Sequence, residues 1–238
     1  RKTVTVAFAG GGTGGHIYPG LAIADELRDI CNEADINLNL VWIGNSKGMD
    51  KKIVESNIGP DEKPSVDKFY GIPSGKLRRY FSIQNFIDVF KIGAGCISAY
   101  FKLLKLKPAV LFSKGGFVSV PPCFAAKLLK IPVVTHECDF TPGLATKINS
   151  RFATKLLLSY EETKEYIRQE LEEKIIVTGN PVRPVFYNTD DEIGKDFTGF
   201  KYSRKKKPIL FVMGGSLGAK QINDMVFENL EWLCERFY

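Results

Sequence analysis

Five glycines fall within the eight residues Ala9-Gly10-Gly11-Gly12-Thr13-Gly14-Gly15-His16, directly behind the apolar run Val4-Thr5-Val6-Ala7-Phe8. Glycine has no Cβ, so such a run suits a tight turn or a close backbone approach that leaves no space for side chains. A strand that hands over to a helix through glycines also exposes unpaired N–H groups at the positive end of the helix dipole, where anions bind. Further apolar stretches exit into Gly115-Gly116, Gly179 and Gly214-Gly215. Ligands of open α/β sheets lie at the carboxyl ends of the strands, so these turns predict one ligand-bearing edge.

The rest of the chain agrees with such a sheet. Short apolar runs at Val4 to Ala9, Leu38 to Ile43, Ala109 to Ser113, Val133 to His136, Lys155 to Leu158, Ile175 to Thr178 and Ile209 to Met213 read as strands. Between them, Leu21, Ala24, Leu27 and Cys31 recur at helical spacing, as do Phe86, Val89, Phe90, Gly93, Ile97, Tyr100 and Leu104. Alternating strands and helices give an α/β fold with a parallel sheet. Residues 184–207, with Pro184, an acidic run and a basic run, and flanked by Pro181 and Pro208, read as a linker. A strand, a glycine turn and a helix then begin again from residue 208, as the first βα unit of a second Rossmann-like domain.

With 44% hydrophobic and 25% charged residues, the 238-residue chain can bury one large core or two modest ones. No run approaches the roughly 18 consecutive apolar residues of a membrane span, and no leader pattern is visible, so a cytoplasmic location is expected. Arg1 stands almost at the first strand and the last residues still read as helix, so the chain reads as a fragment. Five scattered cysteines without a Cys-x-x-Cys pair argue against a disulfide framework and against zinc. The net charge of +6 favours an anionic partner. The basic residues are not set among stacking aromatics in an RNA-binding motif, so nucleic acid is not expected.

Gly10-x-Gly12-x-x-Gly15 satisfies the dinucleotide fingerprint literally. That reading needs an acidic residue at the end of the second strand, where Gly44-Asn45-Ser46-Lys47 stands instead, and Asp35 lies at that strand's other end. The P-loop pattern is absent. A purely structural role for the glycines is the alternative, weakened by their recurrence at four strand exits. Both histidines, His16 and His136, follow strands of the same sheet. The dipole of the following helix disfavours a protonated His16, leaving an imidazole able to accept a proton. Glu137 and Asp139 put two carboxylates near His136; Cys138 between them has no evident base. No metal is required.

Taken in order, AGGGTGGH with Ile17-Tyr18-Pro19, Ser74-Gly75-Lys76-Leu77-Arg78-Arg79-Tyr80, Ser113-Lys114-Gly115-Gly116-Phe117, His136-Glu137-Cys138-Asp139, Pro142-Gly143-Leu144-Ala145, Thr178-Gly179-Asn180-Pro181-Val182-Arg183 and Gly214-Gly215-Ser216-Leu217-Gly218-Ala219 resemble the MurG family of glycosyltransferases, of the family 28 type. The resemblance covers practically the whole chain. It implies the GT-B architecture, two Rossmann-like domains, with residues 1–183 the N-terminal acceptor-side domain and residues 208–238 the start of the donor-binding one. It implies inverting transfer of N-acetylglucosamine from UDP-N-acetylglucosamine to the 4-hydroxyl of lipid-linked muramyl-pentapeptide in peptidoglycan synthesis, without a cofactor. The family's later Glu-containing donor segment has no counterpart here, so activity is implied for the whole protein rather than this stretch.

By the same resemblance, Thr13, Gly14 and Gly15 line the cleft, His16 is the first candidate for the general base and Glu137 the second. Phe117 stands where some members have Tyr, Asp139 where many have Asn, and Cys138 where Gln or Ser is frequent. Arg183, Ser216 and Asn223 match positions at the donor. A lipid-linked acceptor requires contact with the cytoplasmic membrane surface, and Lys76, Arg78 and Arg79 interleave with Leu77, Tyr80 and Phe81 in a mixture suited to anionic lipid. A solvated loop leading into a core helix is the alternative for that segment. Two other readings stay open: a different GT-B glycosyltransferase, and a non-catalytic phosphate- or lipid-binding module.

Overall fold

A computed structural model describes residues 3–59, 62–75, 83–187, 190–199, 207–215 and 218–238. The chain divides into two compact units, Arg1–Arg183 and Pro184–Tyr238.

The first unit is built on seven parallel strands: β1 (Thr3–Gly10), β2 (Asn37–Asn45), β3 (Lys68–Ile72), β4 (Val110–Gly115), β5 (Val133–Glu137), β6 (Lys155–Leu158) and β7 (Ile175–Val177), in the order β3-β2-β1-β4-β5-β6-β7. Helices α1 (Gly14–Glu33), α2 (Asp50–Ser56), α3 (Ile83–Leu106), α4 (Val120–Leu128) and α5 (Leu144–Phe152) make the crossovers. Successive strand residues face opposite sides, and the core divides accordingly. Val6, Phe8, Leu40 and Trp42 pack with Ile17, Leu21 and Ala24 of α1 and Val54 of α2. Ala7, Ala9, Val41 and Ile43 pack with Ala99 and Leu103 of α3 and with Cys123, Ala125 and Ala126 of α4. The sheet is therefore covered on both faces, which is why its central strands read as continuous apolar runs. Strand order reverses between β1 and β4, whose ends meet with Gly10 opposite Gly115.

Strand β3 escapes sequence inspection. It is a short edge strand, begins with Lys68 and contains Gly71, so no apolar run marks it.

The second unit holds α6 (Asp191–Thr198), α7 (Lys220–Glu228) and α8 (Leu230–Arg236). Part of the expected linker is thus helical. The expected strand at residues 209–213 is not formed, although a helix follows the glycine turn as anticipated. Strands need a ladder partner, and among the described residues of this unit the segment finds only the chain end: Leu210 donates to the Tyr238 carbonyl and Tyr238 to that of Pro208, both at 3.0 Å.

Candidate active site

The β1 exit lies at the point where the strand order reverses, the place where open α/β sheets hold ligands. Gly12 turns the chain with φ +85°, and a Cβ there would come within 2.5 Å of the Phe117 ring, which lies over the turn. Across the reversal, Gly116 has φ +77° and stands so close to Gly11 that a Cβ would lie 2.6 Å from its carbonyl oxygen. These two positions need glycine for space as well as conformation. The turn is held from below by Asp50, at the start of α2 and 1% exposed, whose carboxylate accepts the N–H of Gly12 at 2.9 Å and of Asn45 at 2.8 Å. Trp42 donates its indole N–H to the Gly10 carbonyl at 3.0 Å.

Thr13 occupies the N-cap of α1 with extended backbone but makes no side-chain cap. Its hydroxyl instead meets His16 Nδ1 at 2.8 Å. The first turn of α1 also contains no acidic side chain; the His16 N–H donates to the Thr13 carbonyl at 3.2 Å, while the amides of Gly14 and Gly15 keep their donor capacity. The His16 ring packs on the Gly115–Gly116 backbone, 3.3 to 3.6 Å from where Cβ atoms would stand. Burial, then the neighbouring Lys114, lower its pKa below 6.5, against opposing pulls from Glu137, Asp139 and Asp50.

At the end of β5, His136 is 1% exposed and its Nε2 contacts the Gly179 carbonyl at 3.0 Å. A carbonyl only accepts, so the neutral ring carries its proton on Nε2 and leaves Nδ1 as an acceptor, 3.9 Å from Cys138 Sγ. Burial, then Lys114, push its pKa from 6.5 to about 4. Both carboxylate oxygens of Glu137 are occupied: Oε1 accepts the Asp139 N–H at 3.0 Å and Oε2 the Gly143 N–H at 3.1 Å. Glu137 therefore clamps the loop entering α5, on which Asp139 is exposed. Lys114, 2% exposed at the end of β4, donates to Cys138 Sγ at 2.5 Å.

Ser159, just after β6, donates to Oδ1 of Asn180 beyond β7 at 2.7 Å, and the Arg183 guanidinium stacks 5.2 Å over the exposed Tyr18 ring of α1. The first unit thus brings Thr13, Gly14, Gly15, His16, Phe117, Glu137 and Asp139 to the carboxyl edge of the sheet, with Arg183 held on α1. Asn223 is exposed on α7 of the second unit. Ser216 and the membrane segment Lys76, Leu77, Arg78, Arg79, Tyr80 and Phe81 lie outside the described residues. Among the described residues, no group of three or more His, Cys, Asp or Glu side chains could hold a metal ion. Sequence reasoning passed over Asp50 and Lys114. A lysine at the end of an otherwise apolar buried strand was a usable signal for the second; nothing local marked the first.

The family model of the glycosyltransferase family 28 N-terminal domain matches residues 6–158, from within β1 to the end of β6. The chain belongs to this family. The matched family 28 region contains His16, Lys114, Glu137 and Asp139 and stops before Arg183. The UDP-N-acetylglucosamine–N-acetylmuramyl-(pentapeptide) pyrophosphoryl-undecaprenol N-acetylglucosamine transferase of Treponema denticola is 58% identical over 98% of this chain and 57% of its own. The transferase of the same name from Treponema pallidum strain Nichols is 47% identical over 98% of this chain and 56% of its own. The crystal structure of Acinetobacter baumannii MurG matches with TM-score 0.61 and 25% identity, over 97% of this chain and 55% of that one. A UDP-GlcNAc 2-epimerase from Methanocaldococcus jannaschii, 18% identical with TM-score 0.57 over 98% of this chain and 62% of its own, shares the fold. The chain spans a little over half the length of the curated relatives it matches.

Proposed function

We propose that the protein to which this chain belongs transfers N-acetylglucosamine from UDP-N-acetylglucosamine to the 4-hydroxyl of lipid-linked muramyl-pentapeptide, inverting the anomeric carbon. The observation that carries this reading is the rim at the β1–β4 reversal, where uncapped α1 amides and an imidazole share one edge, in a chain 58% identical to a transferase named for that reaction. Residues 1–183 serve as the acceptor-side domain, 184–207 connect, and 208–238 open the donor-binding domain of a GT-B enzyme.

In this mechanism His16 takes the proton of the attacking hydroxyl. The tautomer that donates Nδ1–H to Thr13 Oγ1 leaves Nε2 free to accept it, and burial keeps the ring neutral. Glu137 is assigned to hold the loop that carries Asp139, since releasing either oxygen would leave a backbone N–H unpaired. Backbone dipoles of the glycine turn, with Arg183, stabilise the departing diphosphate, and Ser216 and Asn223 are assigned to binding of the donor. No cofactor takes part.

Contact with the inner face of the cytoplasmic membrane is part of the same proposal. Ile97, Phe101 and Leu104 form a stripe along α3, 62%, 63% and 44% exposed, and Leu128 of α4 is 57% exposed. This apolar face follows the basic segment at 76–81 in the chain, the pairing suited to anionic lipid. Among the described residues no helix is long and apolar enough to cross a membrane.

UDP release by the full-length protein, with and without a short-chain lipid-linked acceptor, tests the reading. Acceptor-dependent release is expected, and His16→Ala should lower turnover by roughly 10²- to 10⁴-fold. Absence of acceptor-dependent release would refute the function, and an unchanged His16→Ala rate would remove the base assignment.

A further inference from the structure

One cation at the carboxyl edge has no part in the mechanism just described. The stem of Lys114 runs beside two glycines; Cβ atoms at Gly10 and Gly20 would lie 3.3 and 3.7 Å from its own Cβ. Its buried Nζ reaches Cys138 Sγ, and that sulfur is 3.9 Å from His136 Nδ1. The next residue along β4, Gly115, lies against the His16 ring, 3.6 Å from Cδ2 to where a Cβ would stand. One lysine thus reaches toward His136 through Cys138 Sγ and adjoins His16 through the next residue of its strand, and its charge acts on both rings. The contact its Nζ makes among the described residues is with a thiol rather than a carboxylate.

The carboxylates nearby act in the opposite sense. Asp50 from α2, Glu137 at the end of β5 and Asp139 just after it all favour a proton on His16, and Glu137 favours one on His136. Asp50 and Glu137 are fully engaged by backbone amides and stay in place. An imidazolium cannot accept a proton, so against the carboxylates of this edge an opposing charge adds to burial in keeping the histidines unprotonated. A buried charge not neutralised by a carboxylate keeps most of its field in a low-dielectric surrounding. Lysine provides it as a compact point charge on a slender stem that fits between Gly10 and Gly20.

We propose that Lys114 is a positioning residue whose buried ammonium, anchored on the Cys138 thiol, holds both imidazoles in their neutral, proton-accepting form against the surrounding carboxylates. The functional value of this arrangement rests on the reading of His16 as general base; the electrostatic arrangement does not. Burial first and Lys114 second lower the proton affinity of both rings, in line with this arrangement.

The test is a pH titration of the imidazole resonances by NMR in the whole 238-residue chain, whose two histidines give two signals to follow. In Lys114→Met both midpoints should rise, by about one pH unit. Lys114→Gln, which keeps a donor for Cys138 Sγ, gives the same measurement if the methionine variant does not fold. Asp139→Asn should lower the His16 midpoint and leave that of His136 in place, because Asp139 acts on the first ring and not the second. Midpoints that stay put or fall when Lys114 loses its charge would overturn the proposal, as would a His16 midpoint that does not fall in Asp139→Asn. No substrate is needed, so a failed UDP-release assay and a failed titration are separate results.

Discussion

Acidification should weaken the first unit through one side chain. His136 is 1% exposed, and its pKa is pushed from 6.5 to about 4, by burial first and Lys114 second. In the unfolded chain the imidazole takes its proton near 6.5, whereas in the native state it resists until about pH 4. Between those values the unfolded state binds more protons, so stability falls as pH falls. The gap of about 2.5 pH units, at about 1.4 kcal/mol per unit, corresponds to about 3.5 kcal/mol in full, of which about 3 kcal/mol is lost by pH 4, where the native ring is half protonated. That is a large share of the roughly 5–15 kcal/mol that keeps a domain folded. His136→Gln retains an N–H for the Gly179 carbonyl and cannot titrate. Urea unfolding at pH steps from 7 to 4, followed by the fluorescence of the fully buried Trp42, gives both stability curves. The native protein should lose about 3 kcal/mol more than the variant across that interval. His16, whose pKa is lowered, acts in the same direction as His136, and Asp25, whose carboxyl is raised by burial, in the opposite one. Both are present in both proteins and cancel in the difference. Parallel curves would refute the argument.

Asp50→Ala removes the acceptor of two backbone N–H groups and should cost about 2–5 kcal/mol in urea unfolding, with Asp50→Asn costing less because one bond can be kept. An Asp50→Ala midpoint equal to that of the parent would show that water replaces the carboxylate. Ile97→Asp together with Phe101→Asp should lower flotation on anionic vesicles by at least about tenfold, given about 1.5–3 kcal/mol for each large apolar side chain withdrawn from water. Unchanged flotation would take α3 out of the membrane contact.

The parts of the fold that declare themselves locally were legible. Val6 and Phe8 against Ala7 and Ala9, feeding into Gly10, announce a buried strand, a turn and a helix without reference to anything distant. Strand β3 was hidden because an edge strand needs only one partner and little apolar content. The apolar run at 209–213 carries strand chemistry, yet a ladder is a property of two segments, and the described residues of its unit supply no second one. The candidate site follows the same division. His16 and the glycines stand in one short stretch. Asp50 acts on Gly12 from 38 residues away and Lys114 on Cys138 from 24, and such pairings are made by the sheet order rather than by spacing.

Because Asp50 fastens the β1 turn to the β2 exit with a single carboxyl group, the contour of the rim depends on the seating of a seven-residue helix that lies behind it. A cavity or an oversized side chain beneath α2, around Val54, would be transmitted to the Gly12 amide as a displacement of its acceptor. Substitutions in that neighbourhood would then register as altered ligand handling even where every residue facing the ligand is intact.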